Sequence, residues 1–358
     1  MDVNAEFWAG KKVLVTGHTG FKGGWLSMWL ADMGAVVTGI ALDPPTDPGF
    51  FEVTGLRSHL DGDLRIDIRD KGLLADAVAN VAPDILLHLA AQPLVRRSYV
   101  DPVETYETNV MGTIHVLEAV RATPSIRAVV NVTTDKCYEN REWVWPYRED
   151  EAMGGHDPYS SSKGCAELVT SAYRRSFFAE AGVQIATARA GNVIGGGDWA
   201  KDRLIPDIFR SIDAGEAVLV RSPSATRPWQ HVMEPVAGYL MLAQALWNSP
   251  DDRFAEGWNF GPEENDTRSV QWIVEHMCSL DPAAQWQLEG TPQPHEANLL
   301  MLSSSKAKAM LGWRTQWNLP AALEKTLSWH IAWREGDDMA AVTMSQIKDY
   351  TQAALTHA

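Results

Sequence analysis

The strongest constraint on the fold is a repeated handover between short apolar runs and helical patterns in the first half of the chain. The runs KVLVT (12–16), AVVTGIAL (35–42), DILLHLA (84–90) and RAVVNVTT (127–134) are almost continuous in apolar and β-branched residues, the pattern of strands buried on both faces. Between them, DKGLLADAVANV (70–81) and DPVETYETNVMGTIHVLEAVRA (101–122) carry apolar residues at helical spacing, the second with Pro102 just after a capping Asp101. Strand, helix and strand in repetition predict an α/β fold: a doubly wound parallel sheet with helices on both faces. Past VQIATARAGNVIG (183–195) the alternation weakens and Pro, Gly and Trp become frequent, with no linker or low-complexity tract at the change. A smaller C-terminal lobe over the C-terminal edge of the sheet is expected there. LSSSKAKAMLGW and LPAALEKTLSWHIAWRE read as two closing helices.

The turn after the first run carries the first functional signal. Gly17, Gly20 and Gly23 follow KVLVT at Gly-x-x-Gly-x-x-Gly spacing and open an amphipathic helix. Glycines there permit a tight turn, close backbone approach to a diphosphate and close packing of helix on strand, while the helix N-terminus offers amide donors and partial positive charge. At the first strand-to-helix turn of a βαβ series, this pattern predicts a Rossmann-type dinucleotide site. Asp67 and Ile68, at another strand end, are placed to meet an adenine edge; Asp43 lies near the distance expected of a ribose partner and ranks below Asp67.

Net charge limits the other ligands. With 31 basic against 46 acidic residues the chain carries −15, which argues against general attraction to nucleic acid or anionic membrane. An anionic ligand therefore needs a local site. Three cysteines, Cys137, Cys165 and Cys278, have no metal-ligand spacing and suggest no disulfide framework. No run approaches eighteen apolar residues and the start shows no signal-peptide pattern, so a cytoplasmic location is expected. Most of the fifteen tryptophans are expected in the core.

In DPYSSSKGCAELVT, Tyr159 and Lys163 stand four apart on a predicted helix and share one face. A neighbouring ammonium stabilises phenolate, so Lys163 is expected to lower the Tyr159 pKa towards neutrality and make it a general base.

These residues, with HLAAQPLVRRSY, TTDKCYEN, ARAGNVIGGGDWAKDRLIPD and RPWQHV in order along nearly the whole chain, resemble the extended short-chain dehydrogenase/reductases, and within them the nucleotide-sugar 4,6-dehydratases. The resemblance implies NAD as cofactor, held by Gly17, Thr19, Gly20, Phe21 and Gly23, by Asp67 and Ile68, by Leu89, Ala90 and Ala91 at a strand end, by Asn109, and by Tyr159 and Lys163. It implies residues 1–190 as the NAD-binding domain and 191–358 mainly as the nucleotide-sugar lobe, with some segments returning to the first domain. It gives Thr134 a hydrogen bond to the sugar O4, Tyr159 the O4 proton, and Lys163 the nicotinamide ribose. Asp135 would be the acid that protonates the C6 hydroxyl.

Lys136 stands where TDP-glucose enzymes of the family carry glutamate, which fits a CDP-sugar and makes Lys136 either the C5 base or a fixed cation. Asn192, Trp199, Arg203, Arg221 and Arg227 would meet the nucleotide sugar, Arg227 through its diphosphate. Trp229 suits the core better than the pocket, and His295 stands near a segment where relatives carry another arginine. The substrate implied is CDP-glucose, with no metal and a homodimer or homotetramer as the assembly. The alternatives are a TDP- or GDP-hexose dehydratase, an epimerase, which needs no acid/base pair beside Thr134, and a non-enzymatic NAD sensor, which would lack Tyr159 and Lys163.

Overall fold

A computed structural model describes residues 2–281, 284–289 and 299–356. Among them the strands run β1 (Lys12–Thr16), β2 (Val36–Ala41), β3 (Gly62–Arg65), β4 (Ile85–His88), β5 (Ala128–Val132) and β6 (Gln184–Ala190). Then come β7 (Asn192–Ile194), β8 (Val218–Val220), β9 (Thr226–His231), β10 (Gly257–Phe260), β11 (Thr267–Ser269) and β12 (Trp286–Leu288). Seven form one sheet in the order β10-β6-β5-β4-β1-β2-β3, every pairing parallel.

Side chains along the central strands alternate between two apolar layers. Val13 and Val15 join Trp25, Trp29 and Leu240 on one face, while Leu14 joins Leu74, Val116 and Leu117 on the other. Leu86 and its neighbours Ile85 and Leu87 divide in the same way. That is why these strands read as continuous apolar runs: both faces leave water, at roughly 1.5–3 kcal/mol for each large side chain buried. The sequence runs meet β1, β2, β4 and β5 to within two residues at each end, and the expected α/β doubly wound class is what the sheet order describes.

Capping follows local chemistry. Asp70 accepts from Leu73 N–H (3.0 Å) to start helix Lys71–Val81, and Asp101 accepts from Glu104 N–H (2.9 Å) ahead of Pro102. The expected 101–122 helix contains a π-helical turn at Glu107–Met111 between its segments Pro102–Tyr106 and Gly112–Ala122.

Residues after 190 serve two places. β10 pairs with β6 at the sheet edge, and helix Met233–Asn248 lies beside it, buried from Met233 through Leu246. β7, β9 and β11 form a separate three-stranded sheet, and β8 pairs with β12. Of the two closing helices expected, Leu319–Glu335 forms, and in LSSSKAKAMLGW a short helical stretch forms at 305–311, its last five residues a π turn at Ala307–Leu311. A further helix, Met339–Thr356, follows. Trp8, Trp25, Trp258, Trp313 and Trp329 are fully buried, and each indole N–H has an acceptor at 2.8–3.0 Å, so their polar edges leave water without loss. No helix among the described residues is long and apolar enough to cross a membrane.

Candidate active site

The sheet order reverses between β1 and β4, and a doubly wound sheet opens a crevice at the C-terminal ends of that strand pair. Thr16, the last residue of β1, binds the two loops together: its hydroxyl oxygen accepts from Leu89 N–H (3.1 Å) and Ala90 N–H (3.2 Å). Gly17 follows with φ +80°, and a Cβ on it would stand 2.7 Å from the Ala90 nitrogen. A Cβ on Gly23 would run into the Gly17 carbonyl oxygen. These two glycines are demanded by the chain's own packing.

Gly20 is different: a Cβ there would meet only the Gly17 oxygen, at an ordinary 3.5 Å. It is also the N-cap of helix Phe21–Asp32, with no side chain capping the first turn. Unpartnered amides at a helix end beside a residue with no side chain fit a diphosphate. Thr19 braces the turn by donating to the Leu42 carbonyl (3.0 Å), and Phe21 lies under Gly195.

The expected adenine end is more constrained than the sequence suggests. Asp67 borders a cavity of ≈680 Å3 with Arg69, Asp70, Glu107, Met111 and His115. Its carboxylate is taken up by Arg69, whose Nη2 lies 2.6 Å away, and the hydrogen bonds from that side chain hold the acid below the usual aspartate range. Ile68 is buried with its side chain against Gly112. Asp43 stands in solvent, 3.9 Å from Arg65. Asn109, expected at the cofactor, holds the chain around it: its Oδ1 accepts from Gln92 N–H (2.8 Å) and its Nδ2 donates to the Gln92 carbonyl (3.1 Å) and Ser162 Oγ (2.9 Å). It ties the segment after Ala91 to the helix of Tyr159, and the π turn sets it there.

That helix, Pro158–Tyr173, is capped by Asp157 and carries Tyr159 and Lys163 on its buried face, 8% and 7% exposed. Across from them β5 ends in Thr133 and Thr134, and the chain turns through Asp135–Cys137. Thr134 Oγ1 donates to Asp135 Oδ1 (2.9 Å) and is also hydrogen-bonded to Tyr159. Lys136 Nζ lies 3.5 Å from the same carboxylate oxygen. Asp135 is fully buried, and its other oxygen, Oδ2, has no hydrogen-bond partner; it faces Gly191. A buried carboxyl oxygen left open is costly unless something comes to meet it.

The electrostatics depart from expectation at Tyr159. Burial pushes its phenol up to about 12 against the Thr134 hydrogen bond. The net shift is opposite to the lowering expected from Lys163, whose Nζ donates to the Val132 carbonyl, 3.5 Å away, and which burial brings down to about 8. Among the cations, Arg203 favours the phenolate most; Asp198 holds Arg203 in place at 2.8 Å.

The other residues expected at the sugar nucleotide divide. Asn192 on β7 pairs in register with Trp229 on β9, so Arg227 stands on the neighbouring strand. Arg227 is 9% exposed, with Nη1 on the Thr226 carbonyl at 3.0 Å. Arg221 lies at the rim, paired with Asp202 (3.2 Å) and Glu289 (3.0 Å). Trp199 is half-buried against the aromatic core, with Trp329 and Trp333 meeting it edge-on at 5.7 and 5.0 Å. Trp229 is core, as expected. His295 lies outside the described residues.

Sequence reasoning missed three residues. Glu167 and Arg189 form a buried pair at 2.8 Å behind the Thr134 turn; Glu167 sits one helical turn after Lys163, a spacing that signals a shared face. Lys22 in the cofactor turn reaches toward the same cluster.

Residues 14–326 match the family model described as GDP-mannose 4,6 dehydratase. The chain belongs to that family. Within this dehydratase group it is 54% identical over 357 residues to the CDP-glucose 4,6-dehydratase of Salmonella typhimurium, covering 98% of this chain and 99% of that relative. It is 27% identical to a probable dTDP-glucose 4,6-dehydratase of Sinorhizobium fredii, covering 89% and 93% of the two chains. Among solved structures, a Bacillus anthracis dTDP-glucose 4,6-dehydratase in complex with NAD has a TM-score of 0.73 at 21% identity, covering 90% of this chain and 97% of that one. A Stenotrophomonas maltophila UDP-glucose-4-epimerase with bound NAD has a TM-score of 0.78 at 21% identity, covering 91% and 99%. These two likenesses give the dehydratase family's fold.

Proposed function

We propose that the chain is a carbon–oxygen lyase that converts CDP-glucose to CDP-4-dehydro-6-deoxyglucose and water. The observation that carries this reading is the open, buried Oδ2 of Asp135 beside Thr134, Lys136 and Tyr159, an acid/base cluster that an epimerase has no use for. The 54% identical relative, named for the same reaction, supports it.

NAD, when bound, accepts one hydride and gives it back. Gly17, Gly20 and Gly23 would hold its diphosphate, and Lys163 its nicotinamide ribose. Tyr159 takes the O4 proton as hydride leaves C4, with Thr134 holding O4 and Arg203 stabilising the phenolate. The new 4-ketone acidifies the C5 hydrogen, which Lys136 removes. Asp135 delivers a proton to the C6 hydroxyl, the C6–O bond breaks and water leaves. Hydride then enters C6, a proton returns to C5, and the O4 proton makes good the one that Asp135 gave. A lysine acts as base only while neutral, which distinguishes this site from one with a carboxylate at position 136.

Residues 1–190 would supply the cofactor side of the crevice and residues after 190, Asn192 and Arg227 among them, the nucleotide side. Exposed Val100, Val103, Tyr106, Met111 and Leu168 on adjacent helices support a homodimer or homotetramer, which light scattering measures. The activity test is incubation with CDP-, TDP- and GDP-hexoses, reading formation of the 4-keto-6-deoxy product. CDP-glucose turnover is expected; turnover of TDP-glucose alone overturns the assignment.

A further inference from the structure

Lys22 has no role in the reaction just described, and its position is physically odd. It occupies the first turn of helix Phe21–Asp32, where the partial positive charge of the helix end makes a cation the wrong sign. Its ammonium is turned inward. Nζ donates to the hydroxyl of Tyr239 (3.4 Å) and lies 5.8 Å from that ring, and Tyr239 is fully buried on helix Met233–Asn248. Among the described residues no carboxylate forms an ion pair with it. The charges it feels are those of Arg203, Lys163, Asp135 and Lys136, and Tyr239 in turn lies in the field of Tyr159. Lys22 therefore starts at the glycine turn and ends on Tyr239, with the reacting cluster among the charges around it. Burial and the surrounding cations bring it down to about 7.

The next step rests on the NAD reading given above. If the diphosphate sits on the turn amides and the reacting ring reaches Tyr159 and Lys163, a side chain that leaves the turn and points inward into the field of that cluster lies on the nicotinamide half. The nicotinamide ring is positive when oxidised and neutral when reduced; the diphosphate has the same charge in both. A cation beside the ring discriminates between the two forms, whereas one on the diphosphate does not.

We propose that Lys22 is a positioning cation on the nicotinamide half of the cofactor seat, held by the Tyr239 hydroxyl, that favours reduced over oxidised cofactor and so makes bound NAD a stronger hydride acceptor toward C4. It tunes the first step without touching the sugar.

The test is calorimetric titration at pH 6, below the value to which burial brings Lys22, of wild type, Lys22→Met, Lys22→Arg and Tyr239→Phe with NAD+ and with NADH separately. In Lys22→Met the ratio of the NAD+ Kd to the NADH Kd falls about tenfold, equivalent to about 30 mV in the potential of the bound two-electron couple. Lys22→Arg keeps the wild-type ratio, and Tyr239→Phe, which leaves the lysine in place but frees it, lowers the ratio in the same direction by a smaller factor. Equal weakening of both ligands in Lys22→Met would make Lys22 a diphosphate counter-ion and overturn the proposal, as would unchanged affinities. Should Lys22→Met not fold, an unaltered ratio in Tyr239→Phe overturns it. Failure of the wild type to bind either nucleotide refutes the NAD reading itself, a result separable from a ratio that does not move.

Discussion

Replacing Glu167 by glutamine tests whether the Thr134 turn is held from behind. Glu167 accepts from the Thr133 hydroxyl just before the reacting triplet and from Thr187 (2.7 Å), and pairs with Arg189 through Nε (2.9 Å) and Nη2 (2.8 Å). Arg189 in turn donates to the Tyr138 hydroxyl (2.6 Å) and the Glu149 carbonyl (3.0 Å), just after the triplet. Both members are about 5% exposed. Breaking a buried pair by removing one charge costs about 3–5 kcal/mol, because the other charge is left uncompensated.

At roughly 2.1 cal/mol/K of unfolding entropy per residue, a chain of 358 residues loses about 4–7 °C of Tm for that cost. Against the burial that would raise it, Arg189 and the hydroxyls of Thr133 and Thr187 hold the Glu167 carboxyl below the ordinary 4.5. A lowered carboxyl contributes stability that is present above pH 4.5 and lost as pH falls through the folded value. The gap between wild type and Glu167→Gln is thus widest at neutral pH and narrows on acidification. Calorimetric melts of Glu167→Gln, Arg189→Met and the double variant measure it, and the double variant, with no orphaned charge, melts above Glu167→Gln. A Glu167→Gln melt within about 1 °C of wild type at neutral pH refutes the reasoning.

Tyr159→Phe removes one hydroxyl and leaves the buried ring, so the fold survives while C4 oxidation slows by roughly a hundred- to ten-thousand-fold; single-turnover NADH absorbance near the wild-type level would remove Tyr159 from its role. Deuterium placed at C4 of the sugar reappears at C6 of the same molecule, and its loss to solvent, read by mass spectrometry, contradicts internal transfer. Lys136→Met keeps C4 oxidation but loses exchange of the C5 hydrogen with D2O and water elimination; exchange at the wild-type rate means that Lys136 is not the base.

What the sequence revealed depended on whether a residue's job is local. β1, β2, β4 and β5 announced themselves because each is buried on both faces and ends at a turn residue, and Tyr159 and Lys163 because helix geometry alone puts them on one face. Helix Met233–Asn248 showed no stripe, since Met233 through Leu246 are buried all round and leave no polar side to mark the period. Strand β10 is four residues among glycines and tryptophans, and only its partner β6 makes it a strand. The effective electrostatics of the site were hidden for the same reason. Lys163 sits on the right face of its helix, yet the charge that most favours the phenolate is that of Arg203, forty residues on.

The late arrival of β10 has a consequence for the protein while it is being made. As the chain leaves the ribosome, β1 through β6 are complete by residue 190, but the open edge of β6 finds no partner until Gly257–Phe260 has emerged. Throughout that interval a seven-residue strand, almost wholly buried in the finished molecule, presents bare amides and carbonyls to whatever is nearby. An unpaired edge of this kind is a template for joining to other chains, and nascent multi-part proteins are most prone to aggregate at such moments. A ribosome that stalls between residues 190 and 257 would release a chain whose sheet is six-sevenths built and adhesive along one side. Full-length synthesis closes that side with a strand drawn from the far part of the chain.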